Sequence, residues 1–587
     1  MTSEPIEIGG VVLEPQRGRL DGPKGSVHTE PRTVELALSL ANQAGEVVSR
    51  DDLIESIWEG YPGADRALTN SVSKLRGALK TTGAESGVIE TVPKRGYRLR
   101  AGSSRPLSTP DPALPRIAVL PFQTIGLGPE DEYLGEAIAE DMHDALGDAQ
   151  GITIAARTST FALAGRGEPL SEFARQLSAT LALEGSVRRK EDRIIVRIAL
   201  SSAPDGVQHW SRDFEIPETR IDGLSAIMFE AVRHRLRESH GVDLRPAVAG
   251  RSSDVPADAY KAFLKGRFFW YRENSNPGRA LELYRHAIVL SPQFAAPHAG
   301  LVDCYCTYGA WQMMPQTEVR KLALNYAERA LSLAPDSPDA QFSHGYAQFY
   351  ARWRWEDAER TFRHVLRRQP DHILANTFLA VVLTLLHQDD DAIAIGDRLV
   401  EIDPASSWCW WMRGMFAYYR RDFECMAESG LEALELSPHE PPVLWIASRG
   451  LALCGEHGRA RTLVTELEEV AGQSDMFLGI AASVRICCGP EETARAHSAE
   501  LERRATQRPV SPLVECIIPS LFGHVDQALD ALEAALRERN MTLWCIARDP
   551  TFDSLRSHPR FKRTLKAMNL PEIEPARRGA ATNQGSQ

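Results

Sequence analysis

The first 303 of the 587 residues contain no cysteine, and the nine that follow, from Cys304 to Cys545, are scattered and odd in number. No CxxC pair occurs, and the close pairs Cys304/Cys306 and Cys487/Cys488 lack zinc-site spacing. A disulfide framework and a zinc ribbon are thereby excluded, and reduced thiols are expected. Long apolar runs are missing as well. The most apolar stretch, Ile373 to Leu386, contains Asn376, Thr377 and Thr384 and falls short of the ~20 residues a membrane span needs. The opening residues, MTSEPIEIGG, have neither a basic nor an apolar segment, so no secretory signal is expected. No GxxxxGK[ST] or GxGxxG follows a strand pattern, and no HExxH occurs, so neither a nucleotide loop nor a metal site has candidate residues and no cofactor is expected.

Positive charge is also in deficit: 67 Lys+Arg stand against 79 Asp+Glu, a net charge of −12. That argues against a general nucleic-acid coat but leaves room for a local basic face. The regions differ. Residues 1–63 hold 5 basic and 11 acidic side chains, whereas residues 64–105 hold 9 and 3, a net +6. Residues 1–105 therefore balance, and the acidic excess lies in residues 106–587. What is present is ordinary for globular chains, 43% hydrophobic and 25% charged, with length for about four modules.

Residues 6–28 alternate in short segments broken by Gly and Pro and read as a small antiparallel sheet. Pro31 opens a helix that Gly45 closes. Ser49 with Asp52 forms a capping-box-like start to a second helix, Asp51 to Trp58. After the loop EGYPGAD, a third helix runs from Asp65 to Lys80. Leu68, Val72, Leu75 and Leu79 form one apolar stripe along it. The opposite face carries Arg66, Thr69, Asn70, Ser73, Lys74 and Gly77, with Arg76 and Lys80 on its flanks and no acid after Asp65. Side chains of these types reach base edges and phosphates. The segment VIETVPKRGYRLR reads as two strands around a basic turn, a wing.

The segments GEVVSRDDLIESIW, SVSKLRGALK and IETVPKRGYRL make residues 6–100 resemble the winged-helix output domain of OmpR/PhoB-type transcriptional regulators, in particular the CadC/HilA-like group. The resemblance implies a DNA-binding domain over residues 1–103. It places Arg66, Thr69, Asn70, Ser73, Lys74 and Arg76 in or beside the major groove, Thr91 and Tyr97 on phosphates, and Lys94 and Arg95 in the minor groove. It further implies that the loop Glu59 to Ala64 faces RNA polymerase and that the chain binds direct-repeat DNA as a homodimer. Trp58 reads as core beneath that loop. Gly77 departs from the group, which has a longer, often basic side chain there. Relatives add either a receiver domain or a membrane span. No receiver domain is expected before residue 6, and no span is expected after the winged helix, because the Pro/Ser-rich residues 104–115 read as a linker.

Residues 116–240 alternate strand and helix patterns and predict an α/β domain. ITIAARTS reads as a strand within it. The segments IAVLPF, ARTSTFA and LEGSVRR resemble a TolB-N-like domain. Arg157, Thr158, Ser159 and Arg188 are candidates for a small anion, although strand-end and surface roles are the better explanation of them.

From residue 256 a pattern of small, bulky, small and Pro recurs. Its first residues are Ala280, Ala323, Ala358, Ala392, Met426, Ala460, Ala494 and Ala528, and from Ala358 onward every step is 34 residues. That is the tetratricopeptide (TPR) period. The first step, 43 residues, carries an insertion from Trp311 to Pro315, and Asn540 stands where the last unit's Pro belongs. The array is placed at 256–570 with a C-terminal cap, followed by a disordered tail at 571–587. Its concave groove is expected to take a peptide or protein partner, with Trp353, Trp355, Trp408, Trp410 and Trp411 either lining it or packed between helices.

The expected architecture is multidomain α+β: a winged helix-turn-helix, a small α/β domain and an all-α TPR superhelix. The function these readings imply is a cytoplasmic, non-enzymatic regulator that reads promoter double-stranded DNA, transduces a signal and docks a partner. The alternatives are an interaction scaffold whose winged helix binds protein and a cyclase-related signalling protein.

Overall fold

The computed structural model describes residues 6–571 apart from 10, 15–18, 23, 30, 43–46, 59–63, 85–87, 93–95, 101–103, 107–114, 129, 148, 150, 243, 245–254, 272–276 and 490. The chain forms two compact units, residues 1–114 and 115–587.

In the first unit, strands β1 (Ile6–Ile8), β2 (Val11–Glu14), β3 (Arg19–Gly22) and β4 (Gly25–His28) form an antiparallel meander. Helix α1 (Pro31–Asn42) follows, then β5 (Val48–Ser49) and α2 (Arg50–Trp58). The Ser49 hydroxyl accepts from the Asp52 amide at 3.1 Å and donates to the Asp52 carboxylate at 2.6 Å, the cap expected from the sequence. Next come α3 (Ala64–Thr82), β6 (Ile89–Val92) and β7 (Gly96–Leu99), with β5, β7 and β6 in one small sheet. Gly96 is required there: its φ is +146°, and a Cβ would lie 2.0 Å from the Val48 carbonyl oxygen.

The expected linker begins too early. Ser104–Pro106 is a strand, β8, antiparallel to β1, with Arg105 opposite Glu7. Three residues of a Pro/Ser-rich run thus cover the open edge of β1, for which the local sequence carries no signal.

In the second unit, β9 (Arg116–Val119), β10 (Gln123–Ile125), α4 (Tyr133–Gly147), β11 (Thr153–Ile154), α5 (Arg157–Gly165) and α6 (Leu170–Leu177) precede three ten-residue strands. These are β12 (Leu181–Lys190), β13 (Arg193–Ser202) and β14 (Gln208–Pro217), followed by α7 (Leu224–His240). The sheet order is β11-β9-β12-β13-β14, with β10 beside β12. The strand expected over ITIAARTS is only Thr153–Ile154, and Arg157 already begins α5. The reason is tertiary: a carboxylate from far along the chain sits at the α5 N-terminus, as described below.

Eight helix pairs follow, matching the eight sequence units. They are α8/α9 (Ala257–Tyr271, Pro277–Leu290), α10/α11 (Ala295–Ala310, Gln316–Leu333), α12/α13 (Pro338–Ala347, Trp355–Arg368) and α14/α15 (Ile373–Leu385, Asp389–Ile402). The remainder are α16/α17 (Ser407–Arg420, Phe423–Leu436), α18/α19 (Pro441–Leu453, His457–Ala471), α20/α21 (Asp475–Cys488, Glu491–Ala505) and α22/α23 (Pro512–Phe522, Val525–Arg537). The first residue of every unit, Ala in all but Met426, is buried in the second helix of its pair, from Ala280 in α9 to Ala528 in α23. Small side chains there let neighbouring helices approach closely. Two short 3₁₀ turns, Leu543–Ala547 and Pro550–Leu555, and α24 (Pro559–Ala567) complete the unit. The tail expected to be disordered lies outside the described residues from 572 onward.

The α/β layer and the array do not form separate bodies. Helix α4 packs on α8, and Arg267 of α8 faces Glu140 at 3.4 Å, Asp141 at 3.2 Å and Asp144 at 3.0 Å. The array also closes on itself. Asn540, fully buried, donates to the Gln312 side-chain oxygen at 2.7 Å, and Gln312 donates to the Thr542 hydroxyl at 2.8 Å. The Met541 amide donates to Gln316 at 2.8 Å. The insertion at Trp311–Pro315 and the Asn540 departure are thus two halves of one clasp. Farther on, the Trp355 indole donates to the Met568 carbonyl at 2.8 Å and Arg548 pairs with Asp389 at 2.5 Å. The concave side expected to receive a partner is crossed by the chain's own C-terminal segment.

Candidate nucleic-acid interface

Helix α3 has two faces. Leu68, Val72, Leu75 and Leu79 are buried in the core of the first unit beside Leu36, Leu53 and Leu99. Asn70, Ser73, Lys74, Gly77 and Lys80 are exposed. Burying four aliphatic side chains at about 1.5–3 kcal/mol each fixes which face turns outward. Arg66 and Thr69 lie on the same helix, but their side chains are outside the described residues, as are Lys94 and Arg95 at the wing tip. Of the Glu59–Ala64 loop only Ala64 is described, as the buried first residue of α3.

Arg76, Thr91 and Tyr97 among the sequence candidates hold defined intramolecular contacts. Arg76 donates from Nε and Nη2 to the Ile89 carbonyl at 3.1 and 2.7 Å, and from Nη2 to the Thr91 hydroxyl at 2.9 Å. It therefore braces α3 against strand β6, and its fork is committed to that brace. Thr91 is exposed at the other end of the brace. Tyr97 is only 4% exposed, and its hydroxyl accepts from Arg50 Nη1 at 2.6 Å. Tyr97, which the resemblance puts on a phosphate, thus has its ring packed beside Val48 of β5 and the Arg50 guanidinium, 5.5 Å from its centre. Trp58 is buried, the core alternative, with the Arg32 guanidinium 6.0 Å from its ring centre. The reading of the residues missed Arg50, which lies 47 positions from Tyr97 and has no motif of its own.

The wing strands are less basic than their composition. Arg98 pairs with Glu90 at 2.7 Å and Arg100 approaches it at 3.8 Å. The Arg98 hydrogen bond, then its charge, holds the Glu90 carboxyl below its ordinary value.

The anion candidates of the α/β layer are already occupied. The Ser159 amide and hydroxyl donate to Asp403 Oδ1 at 3.0 and 2.5 Å, and the Ser159 hydroxyl accepts from the Ala405 amide at 2.9 Å. Burial pushes the Asp403 carboxyl up, against the Ser159 and Thr158 donors that favour its charged form. Arg157 pairs with the buried Glu140 at 2.5 Å, and Arg188 faces Asp213 at 4.0 Å. The carboxylate at the α5 N-terminus is the chain's own.

Among the described residues no helix is long and apolar enough to cross a membrane. Residues 24–99 match the family described as "Transcriptional regulatory protein, C terminal". A Rhizobium meliloti protein provisionally named adenylate cyclase 3 is 26% identical over 256 residues, 42% of this chain and 42% of that protein. The transcriptional activator CadC of Escherichia coli is 36% identical over 95 residues, 16% of this chain and 19% of CadC. The transcriptional regulator HilA of Salmonella typhimurium is 21% identical over 428 residues, 64% of this chain and 72% of HilA. The chain thus spans less than half the length of the first two. With its exposed polar α3 and its β6–β7 wing, the N-terminal unit belongs to the transcriptional regulatory protein C-terminal family, an OmpR/PhoB-type winged helix, and here it is joined to a TPR-type array.

Proposed function

We propose that this chain is a cytoplasmic transcriptional regulator whose winged helix reads promoter DNA and whose second unit receives the signal or partner. One observation carries the reading. The outward face of α3 presents Asn70, Ser73, Lys74 and Lys80 with no acidic residue after Asp65, while Arg76 holds that helix to the wing. A helix merely facing water mixes both charge signs, and a braced helix offers its polar groups in fixed register. Asn70 and Ser73 contact base edges. Arg66, Thr69, Lys74, Lys94 and Arg95 engage bases or phosphates, and Thr91 lies at the edge of the footprint. Arg76 and Tyr97 act as positioning residues. The Glu59–Ala64 loop meets RNA polymerase, and two copies occupy a direct repeat. The array docks a protein away from the groove its C-terminal segment fills, and the chain has no enzymatic role.

A mobility-shift titration tests the DNA reading. The fragment should be residues 1–114, because ending before residue 106 would cut β8. Binding to the DNA upstream of its own coding region, with affinity falling steeply as salt rises, is the expected result. No retarded species at low salt overturns it. Asn70→Ala should relax the sequence preference more than it weakens binding to unrelated DNA.

A further inference from the structure

The groove of the array contains a cavity of about 210 Å³. Five of the eleven tryptophans in the chain line it: Trp311, Trp408, Trp411, Trp445 and Trp544. Four belong to the repeats, and Trp544 comes from the C-terminal segment that crosses the groove. The rings hold one another: Trp408 and Trp411 lie 5.0 Å apart, and Trp311 stacks on Phe477 at 5.3 Å. Such a wall is broad, rigid and apolar.

Its polar inventory is unbalanced. The indole N–H groups of Trp408, Trp411 and Trp544 are buried and have no hydrogen-bond acceptor among the described residues. Trp411 and Trp544 are each only 9% exposed. Trp355 and Trp410, outside the cavity, donate to the Met568 and Pro404 carbonyls. Trp353, also outside it, has no acceptor and lies under the Arg539 guanidinium. Three orphan donors on side chains that line one cavity are a costly arrangement for a core and a useful one for a site.

The charges nearby are largely balanced within the chain. Asp549 is the one carboxylate on the wall. Its Oδ1 already accepts from the Tyr418 hydroxyl at 2.7 Å and the Thr551 amide at 2.8 Å. Arg449, 4% exposed, lies behind Tyr418 and opposes the Asp549 charge. It donates to the carbonyl of Ser483, itself a lining residue, while its Nε has no acceptor. A volume somewhat above the ~150 Å³ that accommodates a benzene ring suits one substituted ring and excludes a peptide.

We propose that this cavity binds a small, ring-containing, mostly apolar molecule bearing an oxygen acceptor, a carbonyl or a carboxylate. The oxygen receives the indole N–H groups and the ring fills the space between the aromatic walls. The residues all belong to the second unit, so the site stands independently of DNA binding. A bound molecule touches both the repeats and the C-terminal segment, and binding therefore tightens the closure of the array.

The test uses the full chain and four probes of similar size: acetophenone, phenylacetate, ethylbenzene and phenethylamine. Tryptophan fluorescence and the thermal midpoint report binding. Saturable binding of acetophenone or phenylacetate near one per chain is expected, with ethylbenzene and phenethylamine weaker by about tenfold or more. Which of the two oxygen probes binds tighter identifies the neutral or the anionic form of the acceptor. Trp411→Phe and Trp544→Phe keep a ring and remove the N–H. Each should weaken the oxygen-bearing probes about fivefold to tenfold and leave ethylbenzene unchanged. Equal affinity for ethylbenzene, tighter binding of phenethylamine, or no binding of any probe overturns the proposal. The probe comparison on the unmodified chain decides even if a variant fails to fold.

Discussion

Helices α3 and α5 begin with similar equipment and end in opposite situations. Both carry Arg, Thr and Ser near their N-terminal halves: Arg66, Thr69 and Ser73 in one, Arg157, Thr158 and Ser159 in the other. In α5 these groups turn inward. Ser159 binds Asp403 from 244 positions away, and Arg157 pairs with Glu140. In α3 Ser73 and its neighbours Asn70 and Lys74 face outward. Composition alone does not distinguish a ligand face from an internal joint. The distinction lies in whether the side chains turn into the fold or out of it, and only the fold reveals that.

The comparison breaks most visibly at the internal joint. Arg267→Met removes the guanidinium that faces buried Asp141 and leaves buried Glu140 to Arg157 alone, and should cost the second unit about 3–5 kcal/mol. Denaturant midpoints of the full chain measure this; an unchanged midpoint would mean the joint is not internally compensated.

Asp303 sharpens the same point through pH. One of its oxygens is buried without a partner among the described residues, and burial with the nearby Asp339 charge pushes its carboxyl up to about 8. A folded pKa above the unfolded one means the protonated form favours folding. The contribution is complete below about pH 4 and is lost as pH rises through about 8. The second unit should unfold more easily at pH 8 than at pH 5, and Asp303→Asn should remove much of that difference. An Asp303→Asn chain with an unaltered pH profile counts against this assignment.

At the outward face the effects fall on affinity. Lys94→Ala with Arg95→Ala should weaken binding on all DNA sequences and reduce the salt slope by about two. A slope that stays the same removes the wing from the interface. The smallest effect is expected at Gly77, where an added Cβ meets open space. Gly77→Ala should stabilise the first unit by about 0.5–1 kcal/mol, read as a raised thermal midpoint of residues 1–114.

Much of the molecule was legible in the residues. The TPR phase could be read because paired helices demand small side chains at fixed spacing, and Ala280, Ala358 and Ala494 are buried where that demand predicts. The two faces of α3 could be read because its stripe is periodic. Features that join distant segments were not legible. Arg76 looked like a flank residue because its acceptor is a backbone carbonyl, Ile89, which no side-chain pattern announces. The α5 start was mistaken for strand because Asp403 lies so far away. The α/β layer and the array read as separate because Arg267 and its three carboxylates belong to different sequence patterns.

The clasp between Gln312 and Asn540 changes how the second unit comes into being. An open solenoid gains stability repeat by repeat, and each new pair of helices rests on the last. Here a contact spanning 228 positions joins the second pair to the end of the eighth. The loop-closure cost comes before the reward, which slows folding and couples the repeats into one transition. During synthesis the early repeats must wait, partly open, until residues 540–568 leave the ribosome. Completion of the chain is thereby a checkpoint: a molecule truncated near its C-terminus keeps most of its helices but loses the contact that makes them one body.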